Sequence, residues 1–175
     1  MKERSGTIRK ILKLSGLLGF ILIATSFDFD PVEEYNYSAI IMSRAELEKS
    51  IEFQAARPII QIGKIYKKGS FIFISEKYKG IHVIDNTNPS TPIKAGFIRV
   101  PGCIDISVKN NSLYADNSVD LVTIDIGNLP EIKVTERIKN IFPEPLPPDL
   151  RYIPYKYSKE NRPENTIIVE WKKIR

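Results

Sequence analysis

A five-residue pattern that returns forty residues later constrains this chain more than any other feature. Ile81-His82-Val83-Ile84-Asp85 is echoed by Leu121-Val122-Thr123-Ile124-Asp125. Each copy follows a shorter apolar run and precedes a turn-rich stretch. A chain that repeats an apolar pentad ending in Asp must bury two similar strands in two similar settings, which favours a repeated β unit over a single mixed fold.

The periodicity around each copy supports this. Residues 62–66 and 71–74 are short apolar runs separated by Lys67-Lys68-Gly69-Ser70, a hairpin signal. Tyr78-Lys79-Gly80 makes a second turn into the pentad, and Asn86-Thr87-Asn88-Pro89-Ser90-Thr91-Pro92 is turn chemistry throughout. A fourth strand is expected over 93–100, ending at Pro101-Gly102. The pattern then restarts. Ile104, Ile106 and Val108 alternate with Asp105, Ser107 and Lys109, as in a half-buried strand. Asn110-Asn111 turns the chain, Leu113-Tyr114-Ala115 follows, then the second pentad, then a strand over 132–138. Four short strands in about forty residues, repeated, is the signature of a β-propeller blade, and closed propellers need about four to eight blades. Two units leave long sheet edges exposed. The expectations are an N-terminal piece of a longer protein, self-association, or edges covered by the helix and tails.

The remaining segments are organised around this region. Residues 1–27 read as a signal peptide or signal anchor, with a basic start and an uncharged run over 14–27. Fourteen helical residues cover about 21 Å, short of the roughly 30 Å hydrocarbon core, so a cleaved secretory signal fits better than a stable span. Phe27 stands where a lipoprotein signal would carry cysteine. Residues 28–58 read as a linker plus a short helix. The linker is acidic and aromatic, with Asp28, Asp30, Glu33 and Glu34, and is a solvated tether without calcium-loop spacing. The helix is expected over 43–53: Ser43 and Glu46 form a capping box, Leu47 and Ile51 share a face, and Arg57-Pro58 ends it. Residues 59–143 hold the two units, about 59–102 and 103–143, and 144–175 form a proline-rich connector with a terminal strand over 166–171. The expected class is all-β dominated: two four-stranded antiparallel propeller-like blades, a partial propeller, preceded by one short amphipathic helix and an N-terminal hydrophobic helix.

Charge narrows the functions. The net charge is +5, but residues 1–26 carry Lys2, Arg4, Arg9, Lys10 and Lys13 against Glu3, or +4, which leaves about +1 for the rest. The folded part has no strong electrostatic case for nucleic acid. One cysteine, Cys103, excludes an intrachain disulfide and any zinc site needing two thiolates from this chain, and His82 is the single histidine.

The stretch Gly80-Ile81-His82-Val83-Ile84-Asp85-Asn86-Thr87-Asn88-Pro89, with Pro92, resembles the LVIVD repeat, an L-V-I-V-D core followed by a turn with two prolines. Leu121-Val122-Thr123-Ile124-Asp125-Ile126 is similar to a further copy. Met42-Ser43-Arg44 through Phe53, Arg57-Pro58 and Gly63-Lys64-Ile65-Tyr66 resemble the leader of secreted bacterial proteins that carry such repeats, and Pro101-Gly102-Cys103 and Tyr114-Ala115-Asp116 fit the same picture. The resemblance covers about residues 40–143. It implies a propeller-like protein of the cell envelope with no established activity, and it carries over no catalytic residue. Such proteins are usually much longer and often carry a lipoprotein cysteine, and this chain departs from both.

Candidate chemistry is sparse. His82 lies on the strand face opposite Ile81 and Val83, and Val122 takes its place in the second copy, which favours packing over general-base work. Asp85 and Asp125 recur at the strand-to-turn junction, where an Asp side chain accepts from backbone two residues on. Asp105, Asp116, Asn117 and Asp120 form a polar group that is either a cation site at one end of the strands or, as favoured here, a set of turn and loop residues. Cys103 reads as a buried, inert thiol. Tyr152, Tyr155, Tyr157 and Trp171 lie among Arg151, Lys156, Lys172, Lys173 and Arg175, a composition suited to stacking on single strands or, better in an exported protein, to packing on an edge or partner. No phosphate-binding glycine loop, nucleophile elbow or zinc helix is present.

The expectation is therefore an exported, non-enzymatic binding or scaffold protein of the periplasm or outer surface. Its partner is a protein or glycan, with no nucleic acid, cofactor or metal, and membrane contact only through a retained N-terminal segment. The alternatives are a fragment of an envelope hydrolase or lyase whose site needs further blades, and a truncated remnant.

Overall fold

The computed structural model describes residues 35–174. The signal-like segment and the acidic tether residues Asp28, Asp30, Glu33 and Glu34 lie outside the described residues. The chain is mostly β and its sheets are antiparallel. Strand β1 (Tyr37–Ser43) leads into helix α1 (Arg44–Glu48), followed by β2 (Glu52–Gln54), β3 (Ile62–Lys68), β4 (Phe71–Glu76), β5 (Gly80–Asp85) and β6 (Ile93–Arg99). Strands β7 (Ile106–Lys109), β8 (Ser112–Asn117), β9 (Asp120–Asn128) and β10 (Glu131–Ile138) come next, and β11 (Thr166–Lys173) closes the fold. The first sheet runs β2-β6-β5-β4-β3, the second β10-β9-β8-β7, and β1 pairs with β11 alone.

Turn chemistry sets both meanders. In the β3–β4 hairpin Lys68 pairs with Phe71, so Gly69 and Ser70 form the turn, and in β7–β8 Lys109 pairs with Ser112 around Asn110 and Asn111. Gly69 and Asn110 both take left-handed backbone, φ 56° and 54°, which suits the right-handed twist of the flanking strands. The β8–β9 turn repeats the device with Ser118 at φ 59°.

The two sheets pack face to face. Phe73, Ile81, Val83 and Ile98 from the first sheet meet Ile106, Leu113, Ala115, Val122, Ile124 and Ile126 from the second in one core. Each of these except Ile106 and Ile126 is no more than 1 % exposed. Alternation along the strands decides who enters it. In β5 the inward residues are Ile81 and Val83, whereas in β9 they are Val122 and Ile124, one position out of phase in the pentad. The face of sheet one that carries Val83 (its front) therefore covers the face of sheet two that carries Val122 (its back).

A smaller cluster of Leu47, Val119, Ile167 and Val169, with Met42 against it, joins the β1–β11 ribbon to the second sheet. Trp171 is nearly buried; its Nε1 donates to the Pro145 carbonyl at 2.8 Å and its ring takes the Tyr157 ring edge-on at 5.3 Å.

The helix is shorter than the expected span 43–53. The capping box forms, with the Ser43 side chain accepting from the Glu46 N–H and Glu46 reaching back to Ser43, but the helix stops at Glu48, and Glu52–Gln54 is a strand. Leu47 and Ile51 do not share a helical face: Leu47 enters the ribbon cluster, and Ile51 packs on the main core. The Ser50 hydroxyl donates to the Leu47 carbonyl at 2.8 Å, ending the helix and freeing Phe53 to pair with Ile98 along the open edge of β6. Tyr37–Ser43, expected within the linker-plus-helix segment 28–58, is strand β1 because β11 supplies its ladder partner.

Candidate functional site

The polar group Asp105, Asp116, Asn117 and Asp120 divides between two places. Alternation along β8 sends Asp116 to the front of the second sheet and Asn117 to the back. Asp116 Oδ2 accepts from the Asp105 N–H at 3.1 Å, and Lys64 Nζ lies 3.3 Å from Asp105. These carboxylates rim a cleft of about 220 Å³ lined also by Tyr66, Ser107, Tyr114 and Leu121. Burial, with the Asp105 charge beside it, raises the Asp116 carboxyl above its ordinary value even though the backbone bond favours the ionised form.

Asn117 and Asp120 face the β1–α1 junction. Asp120 is fully buried, and its carboxylate accepts from Arg44 Nη1 at 2.8 and 2.7 Å, from Arg137 Nη1 at 2.7 Å and from the Asn140 N–H at 3.0 Å. Arg137 Nη1 also donates to Asn117 Oδ1 at 2.7 Å, and Asn117 Nδ2 donates to the Pro101 carbonyl. Burial alone pushes the Asp120 carboxyl up, but the bonds from Arg44, the Asn140 backbone and Arg137 outweigh it and hold the group below its usual range. The four residues therefore form no single cation site: one pair rims a cleft and the other locks the ribbon onto the sheet. Among the described residues no group of three or more His, Cys, Asp or Glu is arranged to hold a metal ion.

His82 lies on the back of the first sheet, 1 % exposed. Its Nε2 is 2.7 Å from Glu76 Oε2, which also accepts from Arg57 Nη2 at 3.0 Å. The Arg57 guanidinium sits 3.6 Å over the Phe97 ring, and His82 meets the same ring edge-on at 4.9 Å. Burial raises Glu76, but the hydrogen bonds from His82 and Arg57 prevail and lower it. The triad is closed on itself and pins the segment after β2 across the sheet. The sequence marks Arg57 only beside Pro58 as a helix stop and does not mark Glu76, because the two lie 19 positions apart and meet only in the folded sheet.

The recurring aspartates shape turns. Asp85 Oδ1 accepts from the Thr87 N–H at 2.9 Å, and Asp125 Oδ1 accepts from the Gly127 N–H at 2.9 Å, the same two-residue offset in both copies. Cys103 is fully buried, and burial, followed by the Asp116 and Asp105 charges, drives its thiol far upward, so it is not a nucleophile at physiological pH. The tail aromatics are not one platform: Tyr157 and Trp171 pack on each other, while Tyr152 and Tyr155 are exposed.

No helix among the described residues is long and apolar enough to cross a membrane. Compared with known proteins, the chain matches no family model, no curated protein and no solved structure.

Proposed function

We propose that this chain is an exported, non-enzymatic binding or scaffold protein of the bacterial envelope, built from two LVIVD-type propeller-like blades. The observation that carries the reading is a correspondence in register. In the first sheet Phe73 pairs with Val83, Ile74 with His82 and Ile72 with Ile84. In the second, Tyr114 pairs with Thr123, Ala115 with Val122 and Leu113 with Ile124. The pentads and their partners align position for position, and the sheets stack front to back as successive blades do. The nature of the titratable groups supports a non-enzymatic role. His82 is engaged by Glu76 in a buried hydrogen bond, Asp120 is engaged by two arginines, and Asp85 and Asp125 hold turns.

The experiment is a fusion of alkaline phosphatase, active only after export, to the C-terminus of the full chain in a bacterial host. Phosphatase activity is expected; an inactive fusion overturns export. In parallel, the purified full chain is assayed on generic hydrolase and lyase substrates. Turnover abolished by His82→Gln or Asp116→Asn would overturn the non-enzymatic reading in favour of the envelope-enzyme alternative.

A further inference from the structure

We propose that the exposed back of the first sheet receives the exposed front of the second sheet from another copy of this chain, giving a head-to-tail assembly. The proposal rests on the same front-to-back stacking that supports the blade reading, but not on export or on the absence of catalysis.

The chain already contains one such joint. On the back of the second sheet, Ile106 is 3 % exposed and Leu113, Ala115, Val122 and Ile124 are between 0 and 1 %, because the front of the first sheet covers them. By strand register the corresponding residues on the back of the first sheet are Ile65, Ile74, Ile72 and Ile84, with His82 at the remaining position. There Ile65 is 60 % exposed and Ile72 and Ile74 are half-buried, whereas Ile84 and His82 are already buried, so the open part of this face is the patch of Ile65, Ile72 and Ile74. The Arg57 segment covers the half of this face near Phe97, which leaves the β3–β4 half open. An apolar stripe on a pleated surface leaves water when another layer packs on it, and the layer this chain already places on the corresponding stripe is a sheet.

The matching front lies at the other end of the same chain. Tyr114, Leu121 and Thr123 take the positions of Phe73, Ile81 and Val83. Tyr114 and Leu121 line the cleft of about 220 Å³, which opens along the β7–β8 half beside Tyr66 of the chain's own first sheet. Charge agrees. Lys67 and Lys94 flank Ile72 and Ile84 on the back. The front carries Asp116, Asp125 and Glu136 against Lys109 and Lys133, an excess of acid. Because the two surfaces differ, the contact is heterologous: it generates a ring if the rotation closes and a filament if it does not.

The test uses full chains in detergent solution. Ile65→Cys and Thr123→Cys are made separately on differently tagged chains and treated with a flexible bis-maleimide; native Cys103 is buried and does not compete. The expected result is a cross-linked product carrying both tags in the mixture, with no dimer from either variant alone. The double variant gives a ladder. Light scattering shows a multiple of the single-chain mass, which Ile65→Glu reduces to one chain with an unchanged melting temperature. Dimers from Ile65→Cys alone would overturn the proposal in favour of back-to-back pairing. A single-chain mass would also overturn it: protection of the thiol introduced by Ile65→Cys from maleimide would assign the face to another segment of the same chain, and free reaction would assign it to a different partner. A correctly exported monomer would sink this assembly while leaving the binding-protein reading intact.

Discussion

At the scale of single residues, two aspartates four positions apart in sequence show how environment divides one chemistry into opposite roles. Asp120 is ionised among two guanidiniums and a backbone donor, and its carboxyl is held below the ordinary value near 3.8. A carboxyl depressed in the folded state contributes stability that is present above the unfolded value and lost as pH falls through the folded one. Asp120→Ala leaves Arg44 and Arg137 partly buried without their anion, and is expected to cost about 3 kcal/mol near neutral pH, measured by urea unfolding. The loss relative to the parent should shrink on acidification below the ordinary value. Asp116 behaves in the reverse sense. Its folded value is raised above 3.8, so its charging costs stability as pH rises through that value. Asp116→Asn keeps an acceptor for the Asp105 N–H and is expected to raise the melting temperature at pH 7, with the gain vanishing below pH 3.8. A variant less stable than the parent at pH 7 would show that the carboxylate is a net contributor.

At the scale of elements, the β4–β5 connection depends on a glycine whose requirement is steric as well as conformational. Gly80 has φ +142°, and a Cβ there would lie 2.1 Å from the Ile98 carbonyl oxygen and 2.8 Å from the Val100 nitrogen. Both are backbone atoms and cannot rotate away. Gly80→Ala is expected to cost more than about 1 kcal/mol and to lower the melting temperature by at least ~3 °C. Gly69→Ala is the control: Gly69 is left-handed with nothing within 4 Å of the added carbon, and Asn110 adopts the same conformation in the sister hairpin. Equal losses at the two positions would refute the steric account. The edges are managed at this scale too. Strand β2 covers only three residues of β6, and β2, β3, β7 and β10 are the edge strands of the two larger sheets.

At the scale of the whole molecule, the β1–β11 ribbon binds together residues far apart in sequence. Arg44 reaches Asp120, the Ser118 hydroxyl donates to the Ile168 carbonyl at 2.6 Å, and Ile168 is fully buried. Such coupling predicts one unfolding event. Trp171 is the single tryptophan and reports on the ribbon, whereas Cys103 is the single thiol and lies in the core between the sheets. Urea transitions followed by Trp171 fluorescence and by Cys103 labelling are expected to coincide. A fluorescence transition at lower urea would mean that the ribbon detaches first.

The strands from β3 to β10 are legible in the order of the amino acids alone, because alternation, turn residues and the pentad echo are local signals that packing then reinforces. The Asp85 and Asp125 turns are legible in the same way, since an i to i+2 bond is contained within its own segment. Other features arise only from contacts made across the folded chain. Residues 37–43 are a strand because β11 lies beside them, and the helix ends at Glu48 because Ile51 and Phe53 have a better place on the main core. The Asp120 anchor and the Arg57–Glu76–His82 triad join residues 76, 17, 19 and 6 positions apart. No one-dimensional period marks such pairs, because the sheets bring them together only after the chain has folded back on itself.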